Sequence, residues 1–594
     1  MRRLRPFAAG LCALVLLTGC ASLPTGGRVS THTNDARTEP FDEPYVRIEP
    51  TRPKQGWTPK EVVEGYLVAM ANFDNDRAAF RSYLDEDVEF DAAVRPEVNV
   101  LDDETFQGPM PISERDDLAI VQIVGDRLGK ITPSGQYLAA AQHAYDVTFT
   151  LRKNKAGDWR ISYASGAAPE LVLKRSDVDR AFRTTNLYYL APDARSLVPD
   201  SVFLPQLNRS DLPSQLVKSL LSRTTPWLRD AVVSSFPLGT RLLGGKVTLE
   251  DDDVVTVNLS AEAAAGDVDR MSAQLMWTLG QLTEVQSMRL QIDGKTQRTS
   301  DGIEVQTLAR WQPLGPDAPF NEVAASKYLL DGSGHLSLLQ GKEPSPFPSL
   351  AKRTFREPAV ALDAREFAAI SGRSLYVGDT STGAVSEVLK AQEGATLLRP
   401  SWDRHGYLWI VQNKGSESTL WLRSPGGVRA VQVPLPKNLV GQIKALRVAH
   451  DGVRVAALVS GAVKTEIQIA RIAPSATSGY SIDEFHPINA ELSGLVDLAW
   501  RDADTLAVLG KSGTSSSSVL PYEVPISGGA ISPVGGSFEG TPVSIGAAPG
   551  ETILLGIESK ERPEPTTCVQ TPSEEPRFST WDCDITGSSP TYPG

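Results

Sequence analysis

The chain has 594 residues, and at roughly 100–200 residues per domain this length corresponds to about three to five domains. Hydrophobic residues make up 41% and charged residues 22% of the chain, close to globular averages, which excludes a mainly disordered or collagen-like protein. The net charge of −13, with no run of Lys and Arg beyond the first five residues, indicates that nucleic acid is not a partner.

The N-terminus has the pattern of an export signal. Three arginines within the first five residues precede an apolar stretch from Phe7 to Leu17, which is shorter than the roughly 20 residues of a membrane-spanning helix. The stretch ends in Leu17, Thr18, Gly19 and Cys20, which resemble a bacterial lipobox. Residues 1–19 are therefore predicted to be a cleaved lipoprotein signal peptide.

A lipobox implies that the sulfur of Cys20 receives a diacylglycerol, and two acyl chains anchor a protein stably in a bilayer. The predicted location is the extracytoplasmic face of the cell membrane, with membrane lipid as a partner. The alternative is an ordinary signal peptide in which Cys20 is accidental. After this cysteine, the rest of residues 20–55 is rich in Pro, Thr, Gly and charged residues, which predicts a flexible tether.

The predicted export also bears on the four cysteines, because disulfides persist outside the cytoplasm. Cys568 and Cys583 are close in sequence and can pair with each other. No C-x-x-C pair is present, which argues against a zinc ribbon or a thioredoxin-type redox site.

Residues 56–172 are predicted to form a first α+β domain. The segment 58–61 has the spacing of a capping box with proline at the first helical position, and an apolar helix face follows it. Asp74 is expected to cap a second helix. Apolar and polar residues then alternate over 145–151 and over 159–163, which is typical of a half-buried hairpin. Helices followed by a curved antiparallel sheet resemble the cone of nuclear-transport-factor-2-like (NTF2-like) domains.

Residues 180–310 are predicted to form a second α+β domain. Two apolar helix stripes, over 212–220 and 271–282, are interleaved with alternating strands over 255–259 and 288–292. The second of these strands ends at Asp293-Gly294, a tight-turn signal. This order of elements resembles the GerMN domain of spore and envelope proteins.

Residues 320–594 contain a diverged repeat. An aspartate followed four residues later by a short apolar strand recurs at intervals of 40, 48 and 51 residues, and a weaker copy starts 47 residues further on: Asp363, Asp403, Asp451, Asp502 and Pro549. Repeats of about 40–50 residues built of short strands predict a β-propeller, here of about six blades. The segment 328–339 is expected to close the ring by donating a strand to the last blade.

The sequence carries no strong motif for catalysis, metal binding or cofactor binding. The patterns H-E-x-x-H and G-x-S-x-G are absent. The run Asp251–Asp253 is expected to be a solvated hairpin tip, and the repeated aspartates are expected to accept turn hydrogen bonds. His405 and His450 lie beside two of those turns without a partner carboxylate at a readable spacing. No catalytic, metal or cofactor residue is predicted, and the chain is not expected to be an enzyme.

A lipobox, a cone-like domain, a GerMN-like domain and a diverged propeller, in that order, resemble the actinobacterial LpqB lipoprotein family over essentially the whole mature chain. The resemblance implies contact with the extracellular part of an MtrB-like sensor histidine kinase. It also implies modulation of MtrA–MtrB two-component signalling in cell-wall homeostasis and division.

Two other functions stay open from the residues. The first is a receptor that binds a peptidoglycan or glycan fragment of the cell wall in the cone or in the propeller channel. The second is a propeller hydrolase or lactonase, which would need Asp, Glu or His side chains converging on a metal.

Overall fold

The structure is a computed structural model that describes residues 51–594, except for gaps at 72–76, 89–94, 163–170, 207–208, 250–253, 319–322, 348–349, 351–352, 438, 462–463, 476–478, 490, 514–517, 563 and 574–575. Over these ranges, none of the helices has both the length and the apolar composition that crossing a membrane requires.

The first domain packs helices against one curved six-stranded sheet. Its helices are Pro59–Met70, Ala78–Arg81 and Arg175–Ala181. Its strands are Val98–Leu101, Gln107–Arg115, Leu118–Ile131, Tyr137–Lys153, Trp159–Ser162 and Leu171–Lys174. Neighbouring strands pair antiparallel except the first and the last of these, which pair parallel. The NTF2-like comparison stays a prediction.

The first domain contains the predicted capping box and the predicted hairpin. The capping box is confirmed, because Thr58 and Glu61 each accept a hydrogen bond from the other's backbone N–H at the start of the first helix. The hairpin of Tyr137–Lys153 with Trp159–Ser162 is also confirmed. The second helix is a single turn with Arg77 at its N-cap position, and Asp74 lies outside the described residues.

The second domain combines a two-stranded sheet, a five-stranded sheet and three helices. The two-stranded sheet is Phe182–Leu190 with Leu197–Pro205. The strands of the other sheet are Thr248–Leu249, Val254–Leu259, Ser287–Ile292, Lys295–Thr296 and Val305–Thr307, and the helices are Leu212–Ser222, Val268–Leu279 and Leu308–Trp311. The central strands Val254–Leu259 and Ser287–Ile292 run parallel, with the helix Val268–Leu279 as their crossover.

The third domain is a β-propeller, whose described residues form six sheets that we call blades 1 to 6. Blade 1 contains Tyr328–Leu330, Leu336–Gln340, Glu343–Pro346 and Ser588–Thr591. Blade 2 contains Arg356–Val360, Glu366–Ser371, Ser374–Asp379 and Val385–Lys390. Blade 3 contains Ala395–Leu397, Ser401–Trp402, Leu408–Lys414, Glu417–Arg423 and Val431–Val433.

The remaining three blades follow the same meander. Blade 4 contains Gln442–Val448, Arg454–Ser460, Thr465–Ser475 and Gly479–Asn489. Blade 5 contains Leu492–Ser493, Leu498–Trp500, Thr505–Ser512, Leu520–Pro525 and Ser532–Pro533. Blade 6 contains Thr541–Gly546, Leu554–Glu558, Thr566–Thr571 and Thr580–Thr586.

The expectation that 328–339 completes the last blade is wrong. The ring closes instead with a strand from the end of the chain that joins the first blade. Blade 6 fills its four positions with its own strands, and Ser588–Thr591 instead pairs antiparallel with Tyr328–Leu330 of blade 1. The chain crosses between the two blades at Gly587, where a Cβ atom would lie 2.7 Å from Leu329 Cδ1. Closure thus joins the last strand of the chain to the first blade of the ring.

The three domains pack directly against one another. A single hydrophobic core runs from the second domain, including Trp227 and Leu228, into blades 4 and 5, including Ile469 and Tyr522. The first domain joins the second through Phe203, which packs in the core of the first domain and whose backbone N–H donates to the carbonyl of Gly135 at 2.8 Å. The GerMN-like domain therefore shares apolar contacts with both of its neighbours.

Candidate functional site

The lipobox residues Leu17, Thr18, Gly19 and Cys20 lie outside the described residues, as does the run Asp251–Asp253. The structure brings the other two predicted residues together, because Cys568 and Cys583 form a disulfide with an S–S distance of 2.01 Å. This bond links neighbouring strands of blade 6, Thr566–Thr571 and Thr580–Thr586. The disulfide therefore connects the two outermost strands of blade 6.

The repeated aspartates shape the turns that lead into the central strands of blades 2 to 5. Asp403 accepts hydrogen bonds from the backbone N–H groups of His405 and Tyr407, both at 2.9 Å. Asp363, Asp451 and Asp502 accept comparable bonds from residues two or three positions later. Over the described ranges no group of three or more His, Cys, Asp or Glu side chains could hold a metal ion.

The axial channel of the propeller holds a charged network. Arg399 Nε lies 3.2 Å from Glu357, and Arg447 Nη2 lies 2.9 Å from Asp497. Burial lowers the pKa of Arg447, and the negative charge of Asp497 opposes that effect. Two cations face two carboxylates in this network, so the charges of the network itself balance.

The same network narrows the channel. The cavity that remains is about 40 Å³, lined by residues from the innermost strands of all six blades, including Ser401, Thr591 and Ile545. About 10–15 Å³ of such space holds one water molecule, so the channel has room for a few waters and not for a sugar ring. A glycan would need a different site.

A second polar cluster lies where the GerMN-like domain meets the turns of blades 3 and 4. His405 Nε2 lies 3.8 Å from Asp193, and His450 Nδ1 lies 3.4 Å from Asp317. The hydroxyl of Ser196 donates to the carbonyl of Asp451 at 3.2 Å. Sequence spacing could not reveal these carboxylate partners, since each histidine is more than 100 positions away from its aspartate.

The cluster continues over blade 4, where Arg471 Nη1 donates to the carbonyl of Trp227 at 2.8 Å and Nη2 lies 3.0 Å from Asp230. On the outer strand of the same blade, His486 packs against the ring of Trp227 at 5.1 Å. Gln136 of the first domain lies 3.5 Å from His486 Nε2. Side chains of all three domains therefore meet at His486.

Three family profiles match the chain in the order of the three domains. Residues 52–179 match the "Lipoprotein LpqB, N-terminal domain", 186–298 match "Sporulation and spore germination", and 334–561 match the "Lipoprotein LpqB beta-propeller domain". These matches support the GerMN-like assignment of the second domain and the propeller assignment of the third.

Solved structures give partial likenesses. TolB from Acinetobacter baumannii aligns at a TM-score of 0.35 and 14% identity, covering 45% of this chain and 65% of TolB. The first GerMN domain of GerM from Bacillus subtilis aligns at a TM-score of 0.18 and 17% identity, covering 21% of this chain and 95% of that domain.

Curated relatives match at nearly full length. "Lipoprotein LpqB" of Thermobifida fusca is 31% identical, with 98% of both chains covered. "Lipoprotein LpqB" of Streptomyces avermitilis is 32% identical, covering 86% of this chain and 87% of its own. A likeness of this extent implies a membrane-anchored lipoprotein. The chain belongs to the LpqB lipoprotein family.

Proposed function

We propose that this lipoprotein is held by its lipid on the extracytoplasmic face of the cell membrane and contacts the extracellular part of an MtrB-like sensor kinase. Through that contact it would modulate MtrA–MtrB signalling in cell-wall homeostasis and division. The observation that carries the proposal is membership of the LpqB family, with 98% of the chain aligned to a relative. The relatives carry the name of a lipoprotein, and we infer that the chain acts by binding, not by catalysis.

The packing of the domains supports a role in contact. Because the second domain shares one hydrophobic core with blades 4 and 5, we expect the two to respond together when a partner binds one of them. A binding protein changes the signalling state of a kinase only through unequal affinity for its two states. A rigid surface serves this purpose, since it fits one arrangement of the kinase better than another.

The lipid anchor supports the same role. Tethering two proteins to one membrane raises their effective concentration, so a weak contact suffices for regulation. Loss of the anchor should then weaken signalling while the folded part stays intact.

The test uses an actinobacterial host that lacks its own family member. We would express the native chain or the variant Cys20→Ala and measure phosphorylation of the response regulator. The proposal expects the native chain to restore the wild-type phosphorylation level and the variant to restore it poorly. Equal phosphorylation with and without the native chain would contradict the kinase role.

A receptor for a cell-wall glycan is the second candidate. One observation favours it: a wide cleft at the outer rim of the propeller is lined by aromatic and charged side chains. The kinase contact does not depend on this cleft.

A further inference from the structure

The outer rim of the propeller carries a cleft of about 670 Å³ where blade 6 meets blade 1. We call it the rim cleft, and its lining residues include Lys342, Phe538, Glu539, Arg562, Trp581 and the segment Asp582–Asp584. Its size falls within the range of about 300–1,000 Å³ that is usual for small-molecule sites. It exceeds the axial cavity of about 40 Å³ many times over.

Two of the residues that line the rim cleft form an aromatic pair, which we call the floor. Trp581 and Phe538 meet edge to face, with ring centroids 6.0 Å apart and an interplanar angle of 87°. The indole N–H of Trp581 donates to the carbonyl of Gly535 at 2.6 Å, which fixes the orientation of the ring. Both rings are half-buried and pack on the core between blades 5 and 6.

The disulfide lies directly at this floor. Cys583 lines the rim cleft and is bonded to Cys568, which is fully buried. The bond holds the strand Thr580–Thr586, which carries Trp581 and Asp584, against the strand Thr566–Thr571. The floor is therefore pre-formed, which lowers the entropic cost of binding a ligand.

The wall toward blade 1 is an ion triplet. Lys342 Nζ lies 2.6 Å from Asp582 and 3.4 Å from Asp584. Hydrogen bonding between Lys342 and Asp582 raises the pKa of the lysine and lowers that of the aspartate.

A second ion pair also lines the rim cleft, with Arg562 Nη2 3.6 Å from Glu539, and we call it the second wall. Together the two walls place two cations and three carboxylates around the aromatic floor. This charge balance leaves one negative charge in excess, which disfavours an anionic ligand. Carboxylate oxygens outnumber the cationic groups in the cleft. Because these oxygens accept hydrogen bonds, the cleft suits a ligand with many O–H donors.

We propose that the rim cleft binds an uncharged saccharide of the cell wall. A pyranose ring has an apolar C–H face that packs on an indole ring, and an edge of hydroxyl groups that both donate and accept hydrogen bonds. The aromatic floor matches the face, and the two charged walls match the edge. The inference rests on the second candidate function, the glycan receptor, and gives it a location.

The test measures binding of N,N′,N″-triacetylchitotriose, an uncharged saccharide, to the lipid-free chain starting at residue 27. Saturation-transfer NMR and the part of the tryptophan fluorescence change that Trp581→Leu removes would report contact, and we expect a Kd between about 10 μM and 1 mM. Trigalacturonic acid serves as the anionic counterpart and should bind at least tenfold more weakly.

Two variants change lining groups of the cleft: one replaces exposed carboxylates, and the other replaces the half-buried Trp581. The double variant Asp584→Asn and Glu539→Gln keeps side-chain size and should weaken the chitotriose at least tenfold. Trp581→Leu should abolish binding, and its circular dichroism would show whether blade 6 is still folded. Phe578→Ala is the matched control, because Phe578 is an exposed aromatic residue of the same blade that does not line the cleft.

Absence of chitotriose binding to the native chain would overturn the proposal, and so would undiminished binding to the double variant. Equal or tighter binding of trigalacturonic acid would overturn the assignment to an uncharged saccharide. Calorimetry of the same double variant with the kinase domain separates the two functions, since the kinase contact is expected to be unchanged.

Discussion

Asp451 and Arg454 form a buried ion pair in which Arg454 Nε lies 2.5 Å from Asp451 Oδ2, at the turn of blade 4 that faces the GerMN-like domain. Both side chains are almost completely enclosed. Arg454 also lies over the ring of Trp500 at 5.2 Å and donates from Nη2 to the carbonyl of Ala503 at 2.5 Å. Asp451, one of the repeated turn aspartates, therefore also belongs to the contact between the propeller and the GerMN-like domain.

The variant Arg454→Met should destabilise the chain by about 3–5 kcal/mol, because it leaves the carboxylate of Asp451 buried without its cation. Urea unfolding measures this loss as a lower midpoint. The matched control is Arg365→Met, since Arg365 forms an exposed pair with Asp363 at 3.8 Å on the equivalent turn of blade 2. The control should change stability by less than about 1 kcal/mol, and similar losses in both variants would contradict the account.

Removal of the disulfide should lower the stability of the propeller. The sequence separation of Cys568 and Cys583 is 15, and closing a loop of that length contributes about 3 kcal/mol in the chain-entropy model. The double variant Cys568→Ala and Cys583→Ala should therefore unfold at lower urea concentration. Adding a reductant should shift the native chain toward the variant and leave the variant itself unchanged. A native midpoint that does not respond to the reductant would argue against the bond.

Acid should weaken the packing of the three domains at His486. Burial lowers the pKa of His486 to about 4 in the folded chain, below the ordinary value of 6.5. As the pH falls from 6.5 toward 4 the unfolded chain takes up a proton that the folded chain does not, so stability is lost in that window.

The variant His486→Gln removes this proton uptake and keeps a polar side chain facing Gln136. Between pH 7 and pH 4.5 the native chain should lose more stability than the variant. The difference between the two losses, as free energy of unfolding, should be at least about 1 kcal/mol. Identical pH dependence of the two proteins would show that His486 does not carry the effect.

The contact between the first domain and blade 5 should depend on Gly528. This glycine has φ +81°, and a Cβ atom there would lie 2.1 Å from Tyr137 Cδ1. The variant Gly528→Ala should therefore push the first domain away from the propeller, and hydrogen exchange should quicken around Tyr137. Gly550→Ala is the control, because Gly550 has φ +74° and nothing within 4 Å of its Cβ position. Faster exchange in the control as well would mean that backbone strain, not the clash, is responsible.

The sequence predicted the elements that rest on local patterns. The capping box, the hairpin of the first domain and the strand ending at Asp293-Gly294 follow from spacing over fewer than about 20 residues. The repeat of turn aspartates predicted the propeller, and each of the four aspartates accepts a hydrogen bond from the backbone N–H two positions later. These features depend on contacts between neighbours in the chain.

Features that depend on distant contacts could not be read from the sequence. The direction of ring closure depends on Ser588–Thr591 meeting Tyr328–Leu330, more than 250 residues away in the chain. The carboxylate partners of His405 and His450 come from the GerMN-like domain and the segment that follows it. The rim cleft combines Lys342 of blade 1 with Trp581 of blade 6. No local spacing encodes such pairs.

The central claim is tested most directly by calorimetry of the lipid-free chain, starting at residue 27, with the isolated extracellular domain of the MtrB-like kinase. The shared core of the second domain and the propeller means that the chain should be kept whole, and that surfaces should be mapped by substitution. Ile112→Asp, Leu238→Asp and Val428→Asp each change one exposed apolar residue in a different domain.

The account predicts saturable binding to the native chain, with at least a fivefold loss of affinity in one of these variants and little change in the others. Millimolar affinity corresponds to about −4 kcal/mol, and effective concentrations in the millimolar range arise when two partners are linked. No heat of binding at millimolar concentrations, for the lipid-free chain and for the lipidated chain in vesicles alike, would contradict the kinase contact.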